Sequence, residues 1–319
     1  INYIGNNTMN PSLLLGEFLS TPWALMPDRL QAIASVLSRW SNGREPEDSV
    51  QFQINTDRVV RTTRKQYAPE HSALGIAVLP LYGVITQRGN MVDNISGPGC
   101  TSTEQFSAAF RQLLADTSVG QILIDIDSPG GSVYGVAELA NEIFKARSQK
   151  PIVAIANSLA ASAAYWIGCS TSEFYVTPGG EVGSIGVWQA HQDFSKAFDD
   201  AGIKTTLISA GTYKVEGNPY GPLDSEAQAF MQSRVEDYYQ AFAQSVAKGR
   251  NVSVSDVISG MGQGRVLGAD AAMKQGMVDG VASFDQVLLK MQKQARTTNP
   301  LRSTQAPRIQ HARDAIALR

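Results

Sequence analysis

The chain has 319 residues, 43% of them hydrophobic, and a formal net charge of −2. These values suit a globular protein with a sizeable core and exclude a general electrostatic attraction to nucleic acid or membrane. Cys100 and Cys169 are too few for a disulfide framework, no apolar run approaches the ~20 residues that span a bilayer, and no signal-peptide pattern opens the sequence. We therefore expect a soluble, intracellular protein.

Residues 1–70 predict a separate, mainly helical extension. Apolar residues recur at helical spacing in 11–19 and more clearly in 28–40, where Pro27 marks the start. The polar stretch 41–71 indicates a connector.

Strands and helices alternate after the connector. The predicted strands are 76–85 (interrupted by Pro80), 121–127, 152–156, 173–177, 183–189 and 204–209. The predicted helices are 103–115, 133–146, a helix after Ser162, 193–201, 225–248 and 284–294, with a short helix and strand inside 266–282. A sharp turn is predicted at 128–131. This order predicts a largely parallel sheet covered by helices, in a domain over residues 71–292.

The C-terminal segment 293–319 differs in charge from the rest. It has six Lys or Arg residues and one Asp, a net charge of +5, which leaves −7 on the remainder of the chain. We expect a solvated, disordered tail, with contact to nucleic acid or an acidic partner as the alternative.

Ser162 lies where a predicted strand passes into a predicted helix. It follows the apolar run 152–156 and has two alanines on each side. Small neighbours let a helix start close to another backbone, and the first turn carries the positive end of the helix dipole. An accessible hydroxyl in that setting suits nucleophilic attack on a carbonyl. Ser162 is therefore the candidate nucleophile, although close packing alone also explains an Ala/Ser-rich helix start.

Three further features fit the same chemistry. The Ser-Pro-Gly-Gly sequence at 128–131 follows a buried strand, and its glycines free the backbone to point N–H groups at a ligand. Lys214 lies in a loop poor in other charge, which makes it a candidate general base. Ser184 offers a hydroxyl that can hydrogen-bond a lysine amine. Each of these also has an ordinary interpretation as a turn or a solvated side chain.

A Ser/His/Asp triad is the alternative way to activate Ser162. Of the three histidines, His71 lies in the connector and His311 in the tail, which leaves His191 with Asp193 close by. Spacing alone leaves both arrangements open.

The sequence gives little support to metal or cofactor chemistry. It contains no HExxH, no CxxC and no phosphate-binding glycine loop. Asp125 and Asp127 share a strand face, but two carboxylates on one strand do not make a metal site. We expect neither a metal nor a cofactor.

Four motifs in register resemble the signal peptide peptidase A family. They are Ser-Pro-Gly-Gly at 128–131, Ala-Ala-Ser-Ala-Ala-Tyr around Ser162, Gly-Ser-Ile-Gly-Val around Ser184, and Gly-Thr-Tyr-Lys ending at Lys214. The similarity runs from about residue 75 to about residue 289. It implies an α/β fold of the ClpP/crotonase type, with repeated β-β-α units and a mainly parallel sheet, preceded here by the helical extension.

By that resemblance the chain is a serine endopeptidase with a Ser/Lys dyad. The implied site residues are the nucleophile Ser162, the general base Lys214, its positioning partner Ser184, and an oxyanion hole at Gly131, Ala163 and Gly130. An acyl-enzyme forms on the serine and a lysine-activated water resolves it. The family assembles as rings in which serine and lysine can come from neighbouring subunits. Ala163-Ala164 stands where the family often has two glycines, which predicts a narrower site.

The N-terminal extension, with Trp-Ala-Leu-Met-Pro at 23–27, resembles the bacteriophage branch of that family, the prohead or capsid-assembly proteases of the lambda protein C type. The implied substrates are scaffold, capsid or portal proteins and the chain itself, in a phage procapsid or the host cytoplasm. The implied partner is a second copy in a homo-oligomeric ring, without a membrane and without nucleic acid except through the basic tail.

Three other functions stay open at the level of sequence. One is a bacterial cytoplasmic protein-degrading enzyme of the signal-peptide-peptidase type. Another is a crotonase-type acyl-CoA enzyme, because that fold also binds thioesters through paired N–H groups. The third is a non-catalytic assembly protein with a relic site.

Overall fold

The structure is a computed structural model that describes residues 21–26, 70–71, 75–88 and 100–298. The helices expected at 11–19 and 28–40 lie outside the described residues, as do most of the connector and most of the tail.

The described part of the chain contains both strands and helices. The strands are β1 (Trp23–Leu25), β2 (Glu70–His71), β3 (Ile76–Tyr82), β4 (Val84–Thr86), β5 (Cys100–Ser102), β6 (Gln121–Ser128), β7 (Gly130–Ser132), β8 (Ile152–Ala161), β9 (Glu173–Val176), β10 (Glu181–Gly183), β11 (Val266–Gly268) and β12 (Gly280–Val281). The helices are α1 (Thr103–Ala115), α2 (Val136–Ala146), α3 (Ala163–Gly168), α4 (Ser195–Asp200), α5 (Ser225–Arg250), α6 (Val254–Ser259), α7 (Ala269–Lys274) and α8 (Phe284–Thr298).

A large sheet with the order β11-β10-β8-β6-β3-β2 forms the centre of the molecule, and β9 lies beside β8 with β12 next to it. Its middle strands, β3, β6 and β8, are parallel. Parallel strands are covered on both faces, which is why β6 is buried over most of its length and β8 begins with the buried apolar run 152–156.

A second, smaller sheet has the order β1-β7-β4-β5. The chain runs from β3 of the large sheet into β4 and β5 of the small sheet and then into α1. It repeats this path from β6 through β7 into α2. These repeated units and the parallel centre confirm the ClpP/crotonase-like α/β class expected from the sequence.

Helices cover both faces of the large sheet. On one face, buried residues of α1, α2, α3 and α5 pack in one cluster with β6 and β8. There the rings of Trp166 and Phe242 stack with centroids 4.6 Å apart. On the other face, Val287 and Met291 of α8 pack against Leu123 and Ile155. Ala160, near the C-terminal end of β8 where Ser162 follows, packs in the first of these two clusters.

Several predicted bounds are confirmed or need only small changes. The helix predicted at 103–115 has those bounds, and the Ser102 hydroxyl accepts the Gln105 N–H at its start. The helix expected to end at residue 294 continues to Thr298 and so takes in the first residues of the expected tail. Pro80 does not interrupt β3. Among the described residues β2 pairs only with Ala77 and Val78, so on that side of β3 no hydrogen bond is required of Pro80, which has no backbone N–H.

The prediction of a sharp turn at 128–131 was wrong. Gly130–Ser132 is strand β7, which β1 and β4 flank on either side. The sequence suggested a turn because proline and glycine favour one locally, but here the two neighbouring strands, both distant in sequence, pair with the glycines.

Two predicted strands are also wrong. The strand expected over 183–189 is β10, which ends at Gly183. No strand forms over 204–209: these residues are exposed, and their backbone groups make no hydrogen bond within the described part of the chain. β-Branched residues favour a strand, but a strand also needs a partner.

Candidate active site

Ser162 occupies a strained position between β8 and α3. Its φ is 56° and its ψ is −118°, a left-handed conformation that non-glycine residues rarely adopt. The strand ends at Ala161 and the helix begins at Ala163, so the serine forms a sharp corner between them. Strand–serine–helix corners of this kind present the hydroxyl clear of the backbone, and such strain persists only where surrounding contacts impose it.

Two backbone carbonyls hold this corner. The Ser162 N–H donates to the Gly183 carbonyl at 2.7 Å, and the Ser162 hydroxyl is 3.4 Å from the Gly186 carbonyl. Ser184 directly follows Gly183 and also has a left-handed φ, 54°, with its N–H donated to the Arg265 carbonyl at 2.8 Å. The predicted nucleophile and its predicted supporting serine are therefore linked through one peptide unit.

Gly130 lies directly against the serine. A β-carbon placed on Gly130 would be 2.9 Å from the Ser162 β-carbon, so only glycine leaves room for the serine here. The Ser128 hydroxyl holds Gly130 in this position, because it donates to the Gly83 carbonyl at 2.6 Å and accepts the Gly130 N–H at 3.2 Å.

Gly131 and Ala163, two of the three residues predicted for the oxyanion hole, flank the same corner. Gly131 follows Gly130 in β7, and a β-carbon on it would lie 1.9 Å from the Ile85 carbonyl oxygen, so it too must be glycine. Ala163 is the first residue of α3, where backbone N–H groups have no acceptor within the helix. The structure thus brings Gly130, Gly131 and Ala163 to Ser162.

Lys214 is not brought to Ser162 within this chain. It is exposed, and the structure records no hydrogen bond or ion pair of its side chain to any described residue. Its backbone N–H closes a turn on the Gly211 carbonyl at 3.2 Å. The dyad as predicted from the sequence is therefore not formed in the single chain.

The histidine alternative has no geometric support. The His191 ring nitrogen Nε2 lies 3.0 Å from the Asn218 carbonyl, and the Asp193 carboxylate accepts the Ser195 N–H at 2.8 Å. Hydrogen bonds from the Ser195 hydroxyl and, second, from its N–H hold the pKa of Asp193 below its usual range. Neither side chain contacts Ser162, so these residues form local structure and not a triad.

Other reactive groups are buried away from the corner. Burial raises the pKa of the Cys169 thiol to about 12, so it is inert as a nucleophile. Burial also raises the pKa of Asp125, although the Tyr82 hydroxyl donates to its carboxylate. Within the described ranges no cluster of three or more His, Cys, Asp or Glu side chains is placed to hold a metal ion.

Sequence reasoning missed the strand that lies beside Ser162. β1 pairs antiparallel with β7, with Ala24 opposite Gly131, and its three residues are buried. On its other side Trp23 and Trp188 exchange two backbone hydrogen bonds of 2.9 and 3.0 Å. Trp23 and Leu25 alternate with a small Ala24, a strand pattern too short to be seen inside a region that otherwise predicts helices.

The part of the chain that contains the candidate site is similar to a known protein family. Residues 145–298, which contain Ser162, Ser184 and Lys214, match the family model described as peptidase family S49. This match agrees with the expected resemblance over residues that include three of the four motifs.

Two curated relatives and one solved structure extend the comparison. The chain is 31% identical to the head-tail preconnector protein GP5 of Enterobacteria phage P21, over 85% of this chain and 55% of that one. It is 34% identical to the capsid assembly protease C of Escherichia phage lambda, over 68% of this chain and 48% of the relative. A ClpP1 variant from Listeria monocytogenes superposes on 66% of this chain and 94% of its own with a TM-score of 0.42 and 14% identity.

The chain spans about half the length of these two phage relatives. Among the helices that the structure describes, none combines the length and the apolar character that crossing a membrane requires.

Proposed function

We propose that the chain is a serine endopeptidase with Ser162 as its nucleophile. The observation that carries the proposal is the left-handed corner at Ser162, set between β8 and α3 against Gly130. A strained serine beside two glycines that cannot carry a side chain is costly in stability and serves nucleophilic attack. The match of residues 145–298 to the model of peptidase family S49 supports this proposal.

Each residue then has a defined part in the reaction. The Ser162 hydroxyl attacks the substrate carbonyl, and the N–H groups of Gly131 and Ala163 stabilise the negative charge on its oxygen. Lys214 accepts the serine proton and passes it to the leaving amine. Water then adds to the ester on Ser162 and releases the acid product. Ser184 is the residue that positions the lysine.

The general base comes from a neighbouring copy of the chain. Among the described residues, the exposed side chain of Lys214 has no partner, and neither do the backbone groups of the exposed segment 204–209 that precedes it. A segment rich in β-branched residues with free backbone groups suits pairing with another subunit. Repeating one such contact around a closed ring joins each Ser162 to a neighbour's Lys214.

The substrates proposed are proteins of a phage head: scaffold, capsid or portal proteins, and the chain itself. The names of the two phage relatives, a capsid assembly protease and a head-tail preconnector, support this assignment. The catalytic domain proposed is 71–292, with the segment before it as an extension and the basic segment 293–319 as a tail.

Cleavage of unfolded casein by alanine variants tests the proposal. We expect Ser162→Ala and Lys214→Ala each to lower the rate by at least about a thousandfold. Lys196→Ala is the matched control, because Lys196 is an exposed lysine of α4 outside the segment 204–209, and it should keep the wild-type rate.

Co-expression of the two inactive variants tests the pairing between subunits. In a randomly mixed ring about a quarter of the contacts join an intact serine to an intact lysine, so about a quarter of the activity should return. No recovery would place the dyad within one chain. Wild-type activity in Ser162→Ala would refute the enzyme assignment and favour an assembly protein with a relic site.

A further inference from the structure

Strand β1 lies where a peptide would have to lie for Ser162 to cut it. It is an extended segment held between two other extended segments, β7 on one side and the backbone of Trp188 on the other. The Trp188 indole N–H also donates to the Leu25 carbonyl at 2.9 Å, and the Met26 N–H donates to the Pro129 carbonyl at 3.3 Å. Backbone contacts on both edges are the usual way in which a protein holds an extended peptide.

The register of β1 points one carbonyl at the catalytic corner. Both backbone groups of Trp23 bond to Trp188, and successive residues of a strand alternate in direction, so the backbone groups of Ala24 face β7. Ala24 is paired with Gly131, the residue whose N–H is assigned to the oxyanion hole. The Ala24 carbonyl therefore faces a donor that would stabilise its developing charge.

The same carbonyl is close to the nucleophile. A β-carbon placed on Gly130 would lie 2.3 Å from the Ala24 carbonyl oxygen and 2.9 Å from the Ser162 β-carbon, so these two atoms are at most 5.2 Å apart, the sum of the two distances. The Ser162 hydroxyl oxygen is one bond away from that β-carbon, so its own distance to the Ala24 carbonyl depends on the rotamer of the serine.

We propose that residues 21–26 are a substrate of the chain's own active site, and that the bond cut is the peptide bond between Ala24 and Leu25. The proposal rests on the proposed function and names one substrate sequence for it. It also implies that β1 blocks the cleft for other proteins until the bond is cut.

The reaction balances with water as the only co-reactant. The Ser162 oxygen bonds to the Ala24 carbonyl carbon, and the bond from that carbon to the Leu25 nitrogen breaks. The serine proton passes through the Lys214 amine to the leaving Leu25 nitrogen. Water then cleaves the ester and leaves a carboxylate on Ala24 and an amino group on Leu25.

The side chains of β1 fit this assignment. Ala24 is fully buried in the main hydrophobic cluster, so a larger residue at the cleaved position would have to displace its neighbours. Leu25, the residue after the cut, is also buried. The site thus selects a small residue before the cleaved bond and accepts a large apolar residue after it.

Mass spectrometry of the full-length chain, incubated with unfolded casein, tests the proposal. We expect wild type to yield a new N-terminus at Leu25, and Ser162→Ala to stay uncut. Leu25→Pro makes the bond a proline imide, which serine peptidases do not cut, and Leu25→Ala is its matched control because it loses the same side chain but keeps an ordinary peptide bond. We expect casein cleavage to start after a lag in wild type, to persist in Leu25→Ala, and to fall at least about tenfold in Leu25→Pro.

The outcomes separate this inference from the proposed function. Casein cleaved by wild type whose Ala24–Leu25 bond stays intact, or cleaved by Leu25→Pro at the wild-type rate, overturns the inference and leaves the peptidase assignment standing. If wild type cuts neither casein nor the Ala24–Leu25 bond, both the inference and the proposed function are wrong. If thermal unfolding shows that Leu25→Pro does not fold, the comparison of wild type with Ser162→Ala decides: a Leu25 N-terminus in wild type alone supports the inference, and its absence overturns it.

Discussion

The backbone N–H of Ser162 donates to the carbonyl of Gly183 at 2.7 Å, and this hydrogen bond ties the strained corner after β8 to the loop that carries Ser184. Both serines have a left-handed φ. One hydrogen bond and one peptide unit thus connect two serines with a strained backbone. Strain of this kind lowers stability, so its presence indicates that the backbone is held in place for chemistry.

Substitutions at Ser162 should separate activity from strain. Ser162→Ala and Ser162→Gly both remove the hydroxyl, so neither should cleave casein. Only glycine adopts a φ of 56° without a steric penalty, so Ser162→Gly should be more stable than Ser162→Ala by about 1 kcal/mol. Urea unfolding of the two variants measures the difference. A more stable alanine variant would show that the corner is unstrained.

Gly249 should be essential for packing α5 against the end of α3. A β-carbon there would lie 2.1 Å from the Cys169 carbonyl oxygen, which is backbone and cannot move aside cheaply. Gly249→Ala should therefore lower the free energy of unfolding by about 2 kcal/mol. Gly221→Ala is the control, since no atom lies within 4 Å of its β-carbon position. Equal stability of both variants would mean that the two helices separate more easily than the structure indicates.

Local signals in the sequence were enough to find α1 and the strand–serine–helix corner. The Ser102 cap and the apolar positions Phe106 and Phe110 define α1 within their own turns. The corner at Ser162 follows from an apolar run that meets an alanine-rich stretch. Both features depend on neighbours in the chain, which a sequence displays directly.

Features that depend on distant partners were missed. Gly130–Ser132 is a strand because β1 and β4 flank it, and β1 itself lies more than a hundred residues before its partner. The segment 204–209 has strand-forming residues but no partner strand among the described residues. Strand pairing of this kind depends on the whole fold. For 204–209 we propose that the partner is another copy of the chain.

The ion pair between Arg250 and Asp279 should make stability depend on pH. The guanidinium donates twice to the carboxylate, each bond 2.8 Å long, and the Phe174 N–H donates to it at 2.7 Å. Burial alone would raise the pKa of Asp279, but these donors hold it below its usual range. A carboxyl with a lowered folded-state pKa contributes stability above its unfolded pKa, near 4, and loses it as the pH falls through the folded value.

Asp279→Asn isolates that contribution. It should cost about 2 kcal/mol at about pH 6, a figure reduced for the partial exposure of the carboxylate, and the difference from wild type should shrink toward about pH 3. Urea unfolding at several pH values measures it, with Asp237→Asn, at an exposed aspartate of α5, as the control. A cost independent of pH would show that the charge of Asp279 contributes nothing.

Reaction with a fluorophosphonate that labels activated serines, followed by peptide mass spectrometry, tests whether Ser162 is the nucleophile and Lys214 its base. We expect one adduct, on Ser162 of the wild type, and labelling at least about a hundredfold slower in Lys214→Ala but unchanged in Lys196→Ala. An adduct on another residue, or wild-type labelling of Ser162 in Lys214→Ala, would contradict a peptidase that uses Ser162 with Lys214 as its base.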